Sequence, residues 1–188
     1  MLDKCFGQKL ILGSACEMKV TLLMALTADG KIGKDSAHFP DWSGKEDKKR
    51  FKQFTLEAGV VVMGSATYDT IGWPLPGRKN IVLTRRSDRC SNQDNLVFTN
   101  QKPAEILEDL TAEGLEHVIL IGGAQINYLF AREGLIDEMI LTYCPKIFGT
   151  GLAVFSEEIS MNLSLLSVEQ LDENVVCVHY KVLHPNIS

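Results

Sequence analysis

An aspartate lies on the apolar side of a predicted helix, where a carboxylate can do acid–base chemistry. The pattern of residues 44–58 is helical, and Phe51, Phe54 and Ala58 follow Asp47 at spacings that place all four on one face. Two interpretations are open. A partly buried acid there can bind or protonate a polar heterocycle. A first-turn aspartate can instead be solvated and favoured only by the helix dipole.

Two glycine turns have the form strand, glycine, helix, which suits phosphate binding. Gly64 follows the apolar run GVVVM and precedes a helix with Thr67 in its first turn. Gly122 and Gly123 follow HVILI and precede the helical stretch AQINYLF. Helix N-termini present free N–H groups, and glycine lets an anion come close. Neither turn matches GxGxxG, so a tight turn without a ligand is the alternative for each.

A third apolar strand ends in Thr84-Arg85-Arg86, at the same predicted edge of the sheet. An arginine there can pair with a phosphate, or it can belong to a solvated charge cluster. The five cysteines are scattered, and none forms a CxxC pair. This usage is typical of reduced thiols in a cytoplasmic protein, and we expect no metal site.

The elements that must position these residues alternate between strands and helices. A capping box of Ser43 and Glu46 is expected to begin the first long helix. Strands are predicted over Lys19–Leu26, Gly59–Met63, Lys79–Thr84, Asn95–Thr99, His117–Ile121, within Ile136–Ile147, and in a hairpin of Leu163–Gln170 and Val175–Leu183. Helices are predicted over Gly44–Ala58, Ser65–Ile71, Pro103–Glu113 and Ala124–Arg132. The alternation predicts an α/β fold with a mostly parallel sheet of about eight strands and about four helices.

Composition narrows the function classes. The 188 residues are 45% hydrophobic and 23% charged, which is ordinary for a globular domain. The net charge of -5, without a basic block, argues against nucleic acid as a partner. No apolar run approaches the roughly 20 residues that span a bilayer, so no membrane partner is expected. Residues 1–17 are interpreted as an extension before one domain of residues 18–188.

Taken together, these pieces resemble one enzyme family. The stretch MGSATYDTIGWPLPGRKNIVLTR, Met63–Arg85, is similar to the dihydrofolate reductase signature MGRxTxxSIGxPLPGRxNIVLSR. Thr21–Gly33 resembles the first strand and following loop of that family, and Trp42 and Phe51 flank Asp47 at the family's spacing. Ile121-Gly122-Gly123 and Leu141-Thr142 complete the order. The resemblance runs from about residue 19 to the end.

The resemblance implies a dihydrofolate reductase-like fold and the NADPH-dependent reduction of 7,8-dihydrofolate to tetrahydrofolate, with hydride to C6 and a proton to N5. Asp47, Trp42 and Thr142 would be the catalytic group. The substrate-binding residues would be Leu23, Asp47, Phe51, Ile71, Leu75, Arg78 and Thr142, with Arg78 on the glutamate α-carboxylate. The cofactor-binding residues would be Ala25, Ile32, Gly64, Ser65, Thr67, Thr84, Arg85, Ile121, Gly122, Gly123, Ala124, Gln125 and Ile126. Residues 33–42 would form the lid.

Some positions depart from that pattern. Ser65 stands where the family often has a basic residue, and Asn127 where an aromatic residue is usual. The stretches DGKIG, WSGKED and IDEMILTYCPKIFGTG resemble the reductase domain of riboflavin biosynthesis, which acts on a ribosyl-aminopyrimidine phosphate. The phosphate of that substrate would need an additional basic side chain, for which Lys31 and Lys45 are the candidates. It is the alternative function, and a nucleotide-binding protein without turnover is a third. The expected assembly is a monomer or a homodimer.

Overall fold

The computed structural model describes residues 18–184, and the extension predicted for residues 1–17 lies outside them. The strands are β1 (Lys19–Thr27), β2 (Lys31–Gly33), β3 (Val60–Gly64), β4 (Lys79–Leu83), β5 (Leu96–Thr99), β6 (His117–Leu120), β7 (Glu138–Cys144), β8 (Leu152–Ala153), β9 (Asn162–Asp172) and β10 (Val175–Leu183). The helices are α1 (Lys45–Ala58), α2 (Ser65–Ile71), α3 (Pro103–Ala112) and α4 (Ala124–Arg132).

Eight of these strands form one sheet in the order β5-β4-β3-β6-β1-β7-β10-β9. The pairs from β5 to β7 are parallel, whereas β10 runs antiparallel to both β7 and β9. The predicted α/β class, with four helices and a C-terminal antiparallel hairpin, is confirmed. Because β1 and β3 are central and covered on both faces, their sequences are almost continuously apolar.

The two faces of the sheet carry separate apolar clusters. One contains Leu22, Leu120 and Phe130 and lies with α3 and α4. The other contains Leu23, Val61 and Ile119, with Phe51 and Phe54 of α1 packed against it. Successive residues of β1 enter opposite clusters because strand side chains alternate. The face under α1 is the one on which the chemistry-bearing residues collect.

Two local features differ from the sequence-based expectation. The prediction of a capping box formed by Ser43 and Glu46 was wrong, because the N-cap of α1 is Gly44, which provides no side-chain hydrogen bond. Buried Ser43 instead directs its hydroxyl to the Pro40 carbonyl at 3.4 Å and toward Asp47. The second difference is a two-stranded sheet of β2 and β8 that was not predicted. None of the helices within residues 18–184 is long and apolar enough to cross a membrane.

Candidate active site

Asp47 lies in the first turn of α1 and is half-buried above the sheet. Burial raises the pKa of its carboxyl group above the ordinary value. The neighbouring hydroxyls of Ser43 and Thr142, together with the charge of Lys48, act in the opposite direction. The carboxylate can therefore exist as an anion, but in surroundings that favour a cationic or hydrogen-bond-donating partner.

Beneath Asp47, three neighbouring strands present a row of small side chains. Ala25 of β1 lies opposite Thr142 of β7, which lies opposite Cys177 of β10. The Thr142 hydroxyl is buried and makes no hydrogen bond of full geometry within residues 18–184. It nevertheless lies close enough to Asp47 to lower the pKa of that carboxyl. A small floor with a donor beside the acid leaves room for a flat ring to lie against the sheet.

The sides of this floor are apolar. Leu23 of β1 is buried, and Phe51, Ile71 and Leu75 are partly buried against the same cluster. These four residues come from β1, α1, the end of α2 and the segment after it. Phe51 is one turn along α1 from Asp47, so the acid and these apolar side chains collect on the same face of the sheet.

Arg78 lies in the turn before β4 and is only 6% exposed. Its Nε donates to the Pro76 carbonyl at 3.0 Å, and its Nη1 donates to the hydroxyl of Thr55 in α1. Burial lowers the pKa of the guanidinium. Two of its three nitrogens thus tie the PLPG turn to α1, and Nη2 is the one left to meet a ligand.

Trp42 lies in a short 3₁₀ helix, Asp41–Ser43, just before α1. Its Nε1–H is buried without a partner among the described residues. Its indole meets Phe148 edge-on, with ring centroids 5.3 Å apart. Both side chains line a cavity of about 410 Å³ whose other walls are Lys34, His38, Lys146 and Ile147. A buried donor calls for an acceptor such as an ordered water or a ligand oxygen.

The two glycine turns lie side by side. The Gly64 N–H donates to the Gly122 carbonyl at 2.8 Å, because β3 and β6 are parallel neighbours. A Cβ on Gly64 would lie 2.8 Å from Ile126 Cγ1, and a Cβ on Gly123 would lie 3.3 Å from the Thr67 hydroxyl. Gly122 has φ +92°, which suits glycine. A side chain at Gly64 would clash with Ile126, so the starts of α2 and α4 lie close together at this point.

The other residues predicted to bind the cofactor lie around the two glycine turns, Gly64 and Gly122-Gly123, which together are called the glycine cradle. Ala124 and the exposed Gln125 begin α4, and Ser65 begins α2 beside Thr67. Ile121 is buried at the end of β6. Thr84 and exposed Arg85 follow β4, where Arg86 pairs with Asp88 at 2.7 Å. Ile32 lies in β2 and packs on the core cluster that also holds Ile126. The set spans one edge of the sheet, at the carboxyl ends of the parallel strands.

Asn127, which replaces the usual aromatic residue, is fully buried in α4. Its Nδ2 donates to the Val154 carbonyl at 2.8 Å, and its Oδ1 has no partner among the described residues. The side chain therefore fastens α4 to the segment after β8. The departure from the family pattern has a structural role here, which sequence comparison alone did not indicate.

Sequence reasoning missed three residues next to the site. Asp29 accepts hydrogen bonds from Phe148 N at 3.2 Å and Gly149 N at 2.7 Å, so it joins the loop before β2 to the loop after β7. Cys144 is buried beside Ser43, and burial, with a smaller effect of the Asp47 charge, raises its pKa to about 11. Arg50 pairs with Glu169 at 2.6 Å. Of these three residues, only Asp29 belongs to a motif noted in the sequence, DGKIG. There, Lys31 rather than Asp29 was the candidate functional residue.

Comparison with known proteins identifies the class of enzyme that this fold and site define. The family model for dihydrofolate reductase matches residues 19–173. The chain therefore belongs to the dihydrofolate reductase family, and it is a reductase.

Among individual relatives, the chain is 32% identical to a putative dihydrofolate reductase of Caenorhabditis elegans, over 83% of this chain and 87% of that one. It is 31% identical to dihydrofolate reductase type 1 of Escherichia coli, over 78% and 94%.

Solved structures with the same fold include proteins of another pathway. A putative riboflavin biosynthesis protein from Shewanella sp. PV-4 has a TM-score of 0.74 and 23% identity, covering 89% of this chain and 100% of that one. The RibD protein of Acinetobacter baumannii has a TM-score of 0.78 and 20% identity, covering 89% and 59%. At these identities the similarity concerns the fold alone.

Proposed function

We propose that this chain is an NADPH-dependent dihydrofolate reductase, which reduces 7,8-dihydrofolate to 5,6,7,8-tetrahydrofolate. The observation that carries the proposal is the order of groups along α1. The half-buried carboxylate of Asp47 is in the first turn, Phe51 of the apolar cluster is one turn further on, and Thr55, which holds the buried guanidinium of Arg78, is one turn beyond Phe51. A pterin edge, an aromatic linker and a glutamate carboxylate follow one another in the same order along dihydrofolate.

Asp47 and Thr142 would hold the polar edge of the pterin. The anionic carboxylate accepts hydrogen bonds from the amino group and ring nitrogen, and so it raises the proton affinity of N5 without touching it. Water would then deliver the proton to N5 in the closed site. Trp42, with its unsatisfied Nε1–H, would hold an ordered water at the cleft wall.

The glycine cradle fits a pyrophosphate. Glycine at both turns keeps Ile126 and the Thr67 hydroxyl close to the backbone, so backbone amides and the Thr67 hydroxyl can face an anion there. Arg85, exposed beyond β4, would meet a 2′-phosphate. Ala25 and Ile32 would flank the nicotinamide. When bound, NADPH supplies the hydride that reaches C6.

A second candidate is the riboflavin-pathway reaction on a ribosyl-aminopyrimidine phosphate. The cavity next to Trp42 favours it, because Lys34, Lys146 and His38 lie around one opening where a phosphate could be held. Dihydrofolate needs no group of that kind. Lys31, in β2, lies in the same part of the molecule.

The deciding experiment follows NADPH oxidation with dihydrofolate and with the riboflavin-pathway pyrimidine side by side. We expect turnover with dihydrofolate and little with the pyrimidine. The reverse preference would support the second candidate, and no NADPH oxidation with either would contradict both.

Arg78→Leu tests the substrate assignment separately. A carboxylate contact far from C6 and N5 is equal in the ground and transition states, so its loss raises KM with little change in kcat. We expect this with dihydrofolate, whereas a dihydropterin without the glutamate tail should be indifferent. Because Arg78 also ties its turn to Thr55, both substrates should report any general loss of structure equally. Arg86→Leu, at an exposed arginine, is the matched control.

A further inference from the structure

The outer strand of the sheet has an unusual surface. Every residue from 162 to 170 in β9 is exposed, although the strand is 11 residues long. Four of these residues are large and apolar: Leu163, Leu165, Leu166 and Val168 are 38%, 57%, 48% and 58% exposed. Natural edge strands usually avoid pairing through charges, prolines or shortness. Residues 162–168 contain no charge and no proline.

The register with β10 concentrates three of these side chains on one face. Leu163, Leu165 and Val168 lie opposite Val182, Tyr180 and Val178, which alternate along β10 and so share one side. A register shift leaves Leu166 without a partner residue, which is why residues 165 and 168 face the same way. The result is an apolar stripe on the hairpin that continues the core cluster containing Val182.

Within residues 18–184, no helix covers this stripe. α1 packs on the other face of the hairpin, where Arg50 meets Glu169. On the stripe side, a cavity of about 510 Å³ opens between the end of α4 and the base of the hairpin, with Ile136, Ile159, Met161 and Val182 among its walls. An apolar strand with free backbone groups on its outer edge and an apolar recess at its base is an interaction surface.

The charges at the two ends of the hairpin indicate which partner fits. Lys181 lies opposite Ser164, near the end where β9 begins, and Glu169 lies opposite Cys177, near the other end. Both are on the face of the hairpin toward α1, since residues 177 and 181 share one side of β10. A second copy that runs antiparallel to β9 brings Lys181 of each copy toward Glu169 of the other. A parallel neighbour would instead oppose like charges.

We propose that β9 pairs antiparallel with β9 of a second copy of this chain, about a two-fold axis, so that one continuous sheet crosses both copies. The interface is isologous, since the same strand serves on both sides. Backbone hydrogen bonds would satisfy the outer edge of β9, and Leu163, Leu165 and Val168 of the two copies would lie next to one another.

Val168→Lys is the direct test, measured by sedimentation velocity on the full chain over a range of concentrations. The wild-type chain should be a dimer, and the variant should raise the dimer dissociation constant roughly tenfold or more, because a lysine in the middle of a strand pair is a charge that blocks edge pairing. Val97→Lys is the matched control. Val97 is 38% exposed on β5, the opposite edge of the same sheet, and its variant should remain dimeric.

Charge and backbone protection test the geometry. Lys181→Glu should weaken the dimer at low salt and recover as salt screens the repulsion, as antiparallel pairing requires. Amide hydrogen exchange of residues 162–171 should slow as the protein concentration rises. A monomeric wild-type chain at about 100 µM, far above the micromolar range of ordinary specific complexes, would overturn the proposal. So would a dimer that Val168→Lys leaves intact, or protection of β9 that does not change with concentration, since the latter would indicate another segment of the same chain or a different partner.

Discussion

The carboxyl group of Asp47 is partly buried, and burial disfavours its ionised form. Burial raises its pKa, and the neighbouring hydroxyls of Ser43 and Thr142 offset only part of that effect. Such a balance is typical of groups that act on a ligand, because a bound partner can supply the missing compensation.

We predict that Asp47→Asn lowers turnover of dihydrofolate at pH 7 roughly 100-fold or more, and that the rate partly recovers at low pH, where the substrate is already protonated. The pH profile of kcat measures both. Glu46→Gln is the control, since Glu46 is an exposed acid in the same helical turn and its loss should leave the profile unchanged. An Asp47→Asn variant with a normal rate at pH 7 would place the acid elsewhere.

The same substitution should stabilise the fold. A carboxyl whose pKa is higher in the folded state binds its proton more tightly when folded, so ionisation destabilises the protein. The penalty is absent below the ordinary value of 3.8, grows as the pH rises through the raised folded value, and is complete above it. Asp47→Asn should therefore melt higher than the wild-type chain at pH 7, and the difference should vanish near pH 3. A lower melting temperature at pH 7 would contradict this.

Arg85 should decide between the two nicotinamide cofactors. It is exposed, whereas its neighbour Arg86 is paired with Asp88. A charge-assisted contact with a 2′-phosphate is worth roughly 1.5–3 kcal/mol. Arg85→Ala should therefore raise the NADPH dissociation constant about 10- to 100-fold in a fluorescence titration and change NADH binding little. Equal losses for both cofactors would make Arg85 a structural residue.

At the scale of elements, the close approach of the end of β3 to the start of α4 matters most. Gly64→Ala would bring a methyl group to 2.8 Å from Ile126 Cγ1, so the two turns must separate. We predict about a tenfold loss of NADPH affinity, equivalent to about 1.4 kcal/mol. Adding Ile126→Ala removes the clashing carbon and should restore much of the affinity. A double variant as weak as Gly64→Ala would show that the turns are not held apart by this contact.

The regular elements could be predicted because each has its own signal. Buried strands such as β3 are β-branched runs, and α1 shows its apolar face at helical spacing. The small sheet of β2 and β8 could not be predicted. Its strands have three and two residues, and they form only because two distant loops meet. The predicted capping box failed because α1 begins one residue later than expected, so Ser43 lies before the N-cap Gly44 and its hydroxyl donates to the Pro40 carbonyl.

In the candidate site, too, some features could be predicted from the sequence and others could not. Asp47, the glycine turns and Arg78 could be placed on elements from spacing and resemblance. Their partners could not, because the bond from Arg78 to Thr55 and the pair of Arg50 with Glu169 join residues 23 and 119 positions apart. The sequence marks Asn127 only as a departure from the family pattern, whereas the structure gives this side chain a buried bond to the Val154 carbonyl.

For the whole molecule, we expect cofactor binding to increase the free energy of unfolding. The proposed NADPH site draws on β1, β3, β4 and β6 and on the starts of α2 and α4, so unfolding must release the ligand. At 100 times its dissociation constant, NADPH should add about 2.7 kcal/mol to the free energy of unfolding in urea. Arg85→Ala at the same NADPH concentration should show a smaller gain. No gain for the wild-type chain would contradict the cofactor assignment.

The ion pair between Arg50 and Glu169 connects α1, which carries the candidate catalytic acid, to β9, which carries the proposed dimer interface. Arg50 is one turn along α1 from Asp47, and Glu169 belongs to β9. A partner strand beside β9 and a pterin against Asp47 would thus act on opposite ends of the same short connection. Thermodynamic reciprocity then applies: if pairing of two copies changes the affinity for substrate, substrate must change the dimer dissociation constant by the same factor. Titrating one equilibrium while measuring the other would reveal whether the two sites of a dimer bind cooperatively.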